Sequence, residues 1–117
     1  MAITLFGIPN CDTVKRARGW LNQQGLRHAF HDYKKAGVPA PRLDAWVGAL
    51  GWEPLLNRHG STWRNLDGAV RLAVDDAASA KALMRQHPSV IKRPVVEWDD
   101  GAVTVGFDAK AWSAHAK

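Results

Sequence analysis

The chain has 117 residues, 46% of them apolar and 23% charged, with a net charge of +5 and a pI near 9.8. That is the size and balance of one soluble globular domain with a single core. No apolar run approaches the ~18 residues of a membrane-spanning helix, and the lone cysteine excludes an internal disulfide. With no basic segment followed by a long apolar one at the amino terminus, the expected compartment is reducing and cytoplasmic, of bacterial type. The positive charge is spread rather than clustered, so it reads as a solvated basic surface that attracts anions.

Residues 2–6 are nearly all apolar and β-prone, which predicts a strand in the middle of a sheet. Gly7 and Pro9 then break the chain, and Val14, Ala17 and Leu21 fall at helical spacing, predicting a helix over 12–25 closed by Gly25. Cys11 therefore stands where a strand ends and a helix begins. Free amide N–H groups there favour negative charge, and the thiolate is the reactive form of cysteine. Lys15 and Arg16 pull the thiol pKa in the same direction, whereas Asp12 pulls against them. A lone cysteine is equally a packing residue; the chain breaks before Cys11 favour an accessible thiol.

Arg27 to Asp32 alternates and reads as a second strand, parallel to the first because a helix joins them. Residues 34–39 read as a loop, and Pro41 opens a helix carrying Leu43, Trp46, Val47 and Leu50, ended by Gly51. Residues 53–74 have no sustained period and read as short helical turns and loop. Asp75 and Asp76 open a helix with Ala80, Leu83, Met84 and His87 on one face, stopped by Pro88. Residues 91–98 lead into a strand, Asp99-Asp100-Gly101 is a tight turn, and 102–106 return, the clearest hairpin in the chain. Asp108 caps a last helix through about Ala114. A β-α-β unit, then helices, then a hairpin and a helix predicts one mixed sheet.

Three separated motifs carry a family resemblance. They are Gly7-Ile8-Pro9-Asn10-Cys11-Asp12-Thr13, then Leu55-Leu56-Asn57-Arg58 with Thr62-Trp63, then Pro88-Ser89-Val90-Ile91-Lys92-Arg93-Pro94-Val95. In this order they resemble the ArsC/Spx family across essentially the whole chain, most nearly its YffB-type reductases. The resemblance implies a thioredoxin-like α/β fold: a mixed four-stranded sheet, parallel β-α-β plus a C-terminal hairpin, flanked by helices. It implies a single domain over 1–117 with a helical insertion at about 39–90. By the same resemblance Cys11 is the catalytic cysteine, Arg93 stabilises its thiolate and binds an anionic substrate, and Pro94 is held cis.

Two positions depart from the arsenate reductases. Asn57 stands where they carry an arginine, with Arg58 one residue later, and Gly106 stands where they carry another on the return strand. The Cys-x-x-Cys switch of many Spx regulators is impossible, because Val14 occupies its second position. The expected activity is a glutathione-dependent thiol/disulfide reductase. A mixed disulfide at Cys11 would be resolved by an external thiol, for want of a second cysteine. Asn10, Thr13, Lys15, Arg58, Trp63, Lys92 and Pro94 form the expected substrate and glutathione-binding set. Trp63 is the tryptophan expected to shape that groove; the others read as core or half-core. Glutathione is the expected co-substrate, glutaredoxin a further partner, and the protein a monomer with no bound cofactor. The alternatives are arsenate reduction and Spx-like binding of RNA polymerase without catalysis. Five histidines form no metal pattern: His28 and His31 fall on opposite faces of a strand, and the rest are scattered.

Overall fold

A computed structural model describes residues 3–115. The elements, in order, are β1 (Ile3–Gly7), α1 (Asp12–Gln23), β2 (His28–Asp32), α2 (Tyr33–Ala36), α3 (Ala40–Leu50) and α4 (Ser61–Arg64). There follow α5 (Gly68–Leu72), α6 (Ala77–Gln86), a 3-10 turn at Pro88–Val90, β3 (Val95–Glu97), β4 (Val103–Val105) and α7 (Ala109–Trp112). They group into two compact units: the residues up to 36 together with those from 93 onward, and residues 37–92.

The first unit holds a four-stranded mixed sheet in the order β2-β1-β3-β4. β1 and β2 run parallel, with Ile3 opposite His28 and Gly7 opposite Asp32. β3 pairs antiparallel with β1, Phe6 opposite Val95, and β4 pairs antiparallel with β3, Val95 opposite Val105. β1 is thus an inner strand, as its nearly all apolar run implies. Alternation along the strands sends Ile3, Leu5, Val96 and Trp98 to one face, where they meet Val14, Ala17 and Leu21 of α1 and Trp112 of α7. Burying side chains the size of Val14 or Leu21 is worth about 2 kcal/mol each, which is why the helical spacing of those residues is decisive. Trp112 is packed edge-on by Trp98, Trp20 and Phe107, with ring centroids 5.0, 5.8 and 4.8 Å away. The Trp98 indole N–H donates to the Thr104 hydroxyl at 2.9 Å, so this buried tryptophan keeps its polar atom satisfied.

Several boundaries differ from the sequence expectations. Of the expected first strand, Ala2 lies outside the described residues, and Gly7 joins the ladder instead. α1 stops at Gln23, because Gly25 adopts a left-handed φ of +70° and turns the chain toward β2. The expected loop at 34–39 begins with a helical turn, α2. The Asp32 carboxylate accepts the Lys34 N–H at 2.9 Å and starts that turn as a cap would. The return strand is shorter than 102–106, since Gly106 has a φ of +82°. The last helix is capped as expected: Asp108 accepts the N–H groups of Lys110 and Ala111 at 3.0 and 3.3 Å. It ends at Trp112, two residues early.

In the second unit, α3 and α6 pack together and Lys81 pairs with Asp44 at 3.1 Å. Leu43, Trp46, Ala80, Leu83 and Met84 are buried as their spacing predicts. His87 is exposed and is the C-cap of α6 rather than part of its apolar face. Asp76 starts α6 through a capping box, accepting the Ser79 N–H at 2.8 Å. Between α3 and α6 lie the short turns α4 and α5. Leu55 and Leu56 are held there by an antiparallel bridge from Leu56 to Ile91 and by the Lys92 N–H donating to the Leu55 carbonyl at 2.7 Å. Among the described residues no helix is long and apolar enough to cross a membrane.

Candidate active site

The site is built by chain ends in the first unit. β1 delivers the chain to a turn at Pro9 and Asn10, and Cys11 follows as the N-cap of α1, with extended backbone at φ −127° and ψ 122°. That geometry places its side chain beside the unbonded amides of the first helical turn. Gly7 makes the approach possible: a Cβ there would come within 2.9 Å of a Val14 methyl, so the strand end lies directly against the helix. On the neighbouring strand, Phe6 opposite Val95 brings Pro94 and Arg93 to the same edge of the sheet as the end of β1. The Arg93–Pro94 peptide bond is cis, as the resemblance implies.

Cys11 is half-buried and packs against the core that α1 makes with the sheet. Burial is the largest single influence on its thiol and raises the pKa. It is outweighed by the Val14 N–H, by a hydrogen bond and the positive charge of the Arg93 guanidinium, and by the Thr13 N–H. The net result is a thiol held below its ordinary pKa. The sulfur makes no conventional capping bond, so the two amides act on it chiefly as dipoles aimed at a thiolate. The flanking charges of Asp12, Lys15 and Arg16 are on exposed side chains and do not figure among these influences. The contest between them that the sequence leaves open is settled elsewhere, by Arg93 and the backbone.

Of the remaining expected site residues, Thr13 is half-buried and contributes through its amide, Asn10 is exposed in the turn, and Pro94 is buried beside Arg93. Arg58 and Trp63 belong to the second unit and do meet there. The Arg58 guanidinium lies over Trp63 at 6.0 Å and over Trp52 at 5.7 Å, and with Arg71, Leu72 and Val74 it lines a cavity of about 460 Å³. Lys92 is exposed, while its backbone is tied to Leu55. Asn57 is committed to local bonds. Its side-chain oxygen accepts the His59 N–H at 3.1 Å, and its own N–H donates to the Val90 carbonyl at 2.7 Å.

Two residues escape the sequence reading. Trp52, which reads as packing from the sequence, is a second ring under Arg58. Tyr33, the chain's one tyrosine, is 2% exposed, and its hydroxyl has no hydrogen-bond partner among the described residues. Burial pushes its phenol far up, Arg93 pulls it down and Glu97 pushes it up, so it lies within electrostatic reach of both charges. The one available signal was its place directly after β2, in register with the chain end that leads to Cys11. His28 and His31 do face apart: His28 accepts from Arg18 at 3.4 Å, while His31 packs on Phe6 with ring centroids 5.0 Å apart. Among the described residues no three metal-ligating side chains come together.

A mixed sheet of this strand order, with a cysteine capping the first helix and a cis-proline at the facing strand, defines a thioredoxin-like protein of the single-cysteine kind. The chain belongs to the ArsC family, which it matches over residues 6–115. A solved structure of a protein called YffB is 43% identical, with a TM-score of 0.93 over 99% of this chain and 100% of that one. An arsenate reductase (ArsC) related protein from Brucella melitensis is 50% identical, with a TM-score of 0.75 over 100% of this chain and 96% of that one. The global transcriptional regulator Spx of Streptococcus mutans is 24% identical over 110 residues, 91% of this chain and 77% of its own length.

Proposed function

We propose that this protein is a cytoplasmic, monomeric thiol/disulfide oxidoreductase that uses Cys11 as its nucleophile and glutathione as its co-substrate. The observation that carries this reading is a half-buried thiol at the start of α1, held below its ordinary pKa by the first amides of that helix and by Arg93. The Cys11 thiolate attacks one sulfur of a disulfide. A new S–S bond forms at Cys11, the old one breaks, and the departing thiolate takes a proton from water. A glutathione thiolate then attacks the substrate sulfur of the mixed disulfide, forms a glutathione–substrate disulfide (oxidised glutathione where that sulfur is itself glutathione's) and returns Cys11 to the thiolate, since the chain has no second cysteine. Glutathione carries two carboxylates. Arg93 and Lys15 are the cations proposed to receive them beside Cys11, with Asn10, Thr13 and Pro94 shaping the groove. Glutaredoxin is the proposed protein partner where the mixed disulfide is handed on.

Incubation with oxidised glutathione should add one glutathione to the native protein, at Cys11, and none to Cys11→Ser, read by intact-mass spectrometry. A native protein that stays unmodified while the denatured one reacts would sink the reading.

The similarity to an arsenate reductase related protein favours arsenate reduction as a second reading. Two local structures weigh against it. Asn57 is committed to its turn, and Gly106 has a φ of +82°, where any arginine would be strained. Similarity to Spx keeps a non-catalytic role at RNA polymerase as a third, without a Cys-x-x-Cys switch.

A further inference from the structure

We propose that the cavity lined by α4 and α5 binds a small amphipathic anion, a flat apolar body carrying one carboxylate, which Arg58 and Arg71 receive and Trp63 and Leu72 cover. Every residue that lines it belongs to the second unit, so the site is built without Cys11 and the inference goes beyond the proposed reductase.

Arg58 comes from the turn before α4, Trp63 from α4, Arg71 and Leu72 from α5, and Val74 from the segment that follows. The Val74 N–H donates to the Arg71 carbonyl at 3.2 Å, which keeps that segment turned against the end of α5. The Arg58 guanidinium carbon stands 5.7 Å from the Trp52 ring centroid and 6.0 Å from that of Trp63, so its charge is held against two indoles. The Arg71 guanidinium reaches back over Gly68, where a Cβ would stand 3.9 Å from its Nη2. The lining thus holds two guanidiniums and no acid. Among the described residues neither arginine has a carboxylate partner.

An indole attracts a cation but accepts none of its hydrogen bonds in the way a carboxylate does, so the N–H fork of Arg58 is left for a ligand oxygen. Arg71 supplies a second fork at the same cavity, and an anion between like charges relieves their repulsion. The rest of the lining is apolar. Trp63 and Val74 are half-buried, and Leu72 is 85% exposed. A lone exposed leucine calls for no explanation, but this one extends the apolar wall of a cavity that carries two cations. The volume of about 460 Å³ falls within the range of small-molecule clefts, ~300–1,000 Å³. Acetate would leave the apolar walls in water, and a neutral aromatic would leave both guanidiniums unanswered. Glutathione, polar along its whole length, would lay its amides against Trp63 and Leu72.

The test titrates the whole protein with three probes, naphthylacetate (anionic), naphthylacetamide (neutral, nearly the same shape) and acetate. The readout is the indole N–H resonances of the six tryptophans, with that of Trp63 identified by its loss in Trp63→Phe. Naphthylacetate should move the Trp63 signal saturably and bind several-fold more tightly than either other probe. Arg71→Gln should weaken naphthylacetate several-fold and leave naphthylacetamide unchanged, whereas Leu72→Ser should weaken both. Equal affinity for the acid and the amide overturns the proposal, as does acetate binding as tightly as naphthylacetate, which would make this a plain anion site. So does a naphthylacetate titration that never saturates or that leaves Trp63 unmoved, or an Arg71→Gln protein that binds like the wild type. Displacement of naphthylacetate by reduced glutathione would assign the cavity to glutathione and overturn the proposal too. The comparison of acid, amide and acetate needs only the wild type, so it decides the matter even where a variant fails to fold. No thiol chemistry enters the titrations. A protein that binds naphthylacetate but takes up no glutathione at Cys11 would fail the proposed function and leave this inference standing.

Discussion

Cys11 illustrates how a thiol can owe more to neighbouring backbone amides and a distant cation than to the charges beside it in sequence. Its exposed flanking charges, Asp12, Lys15 and Arg16, do not figure among the influences on it, while Arg93, far along the chain, does. Burial works against the thiolate, so the cation and the amides must more than offset it. The sign of a test follows. Removing the cation leaves burial opposed only by Val14 and Thr13, so the pKa must rise. Arg93→Met, similar in length but uncharged, should shift the midpoint of Cys11 alkylation by iodoacetamide upward, toward or past the free-thiol value of about 8.5. Alkylation near neutral pH should slow several-fold. An unmoved midpoint would assign the activation to the helix amides alone.

At the scale of elements, the approach of β1 to α1 is the feature on which the site depends. Gly7 is needed there for closeness, because its Cβ would overlap the Val14 methyl at 2.9 Å. Val14 is β-branched, buried and stiff, so it has little room to yield. Gly7→Ala should therefore destabilise the protein by about 1–3 kcal/mol, the usual range for overpacking. Val14→Ala alone leaves a cavity and costs about 2 kcal/mol. Combined, the two changes relieve each other, and denaturant unfolding should show a double mutant less destabilised than the sum of the singles. Strict additivity would mean that the strand and helix separate freely to make room, and that the close approach is not what fixes Cys11.

For the molecule as a whole, the net charge of +5 is the property that reaches beyond the site. Spread over the surface, it raises the local concentration of anions, an effect that weakens as salt shortens the Debye length from ~10 Å at 0.1 M to ~3 Å at 1 M. The rate of mixed-disulfide formation with oxidised glutathione, an anion, should fall as sodium chloride is raised over that range. The rate with the neutral bis(2-hydroxyethyl) disulfide should hold nearly constant. Equal salt dependence for the two would show that the basic surface plays no part in capture.

The sequence by itself determined the elements and their faces. The apolar run of β1 made it an inner strand, Val14, Ala17 and Leu21 set the buried side of α1, and Asp76 and Asp108 marked helix starts. These are local matters of periodicity and capping, decided within a few residues. It also located Cys11 at the strand-to-helix junction, since Gly7 and Pro9 break the chain in plain view. The helix amides are local, but the share of the balance that Arg93 supplies was decided by tertiary structure, because electrostatics depends on distance in space and that cation is brought by strand pairing. The same holds for Tyr33. Its burial is announced by no local pattern in Asp32-Tyr33-Lys34-Lys35. Asn57 and Gly106 make the converse point: the sequence showed that two arginines were missing, and the structure gave the reasons, one side chain spent on a turn and one backbone in the left-handed region.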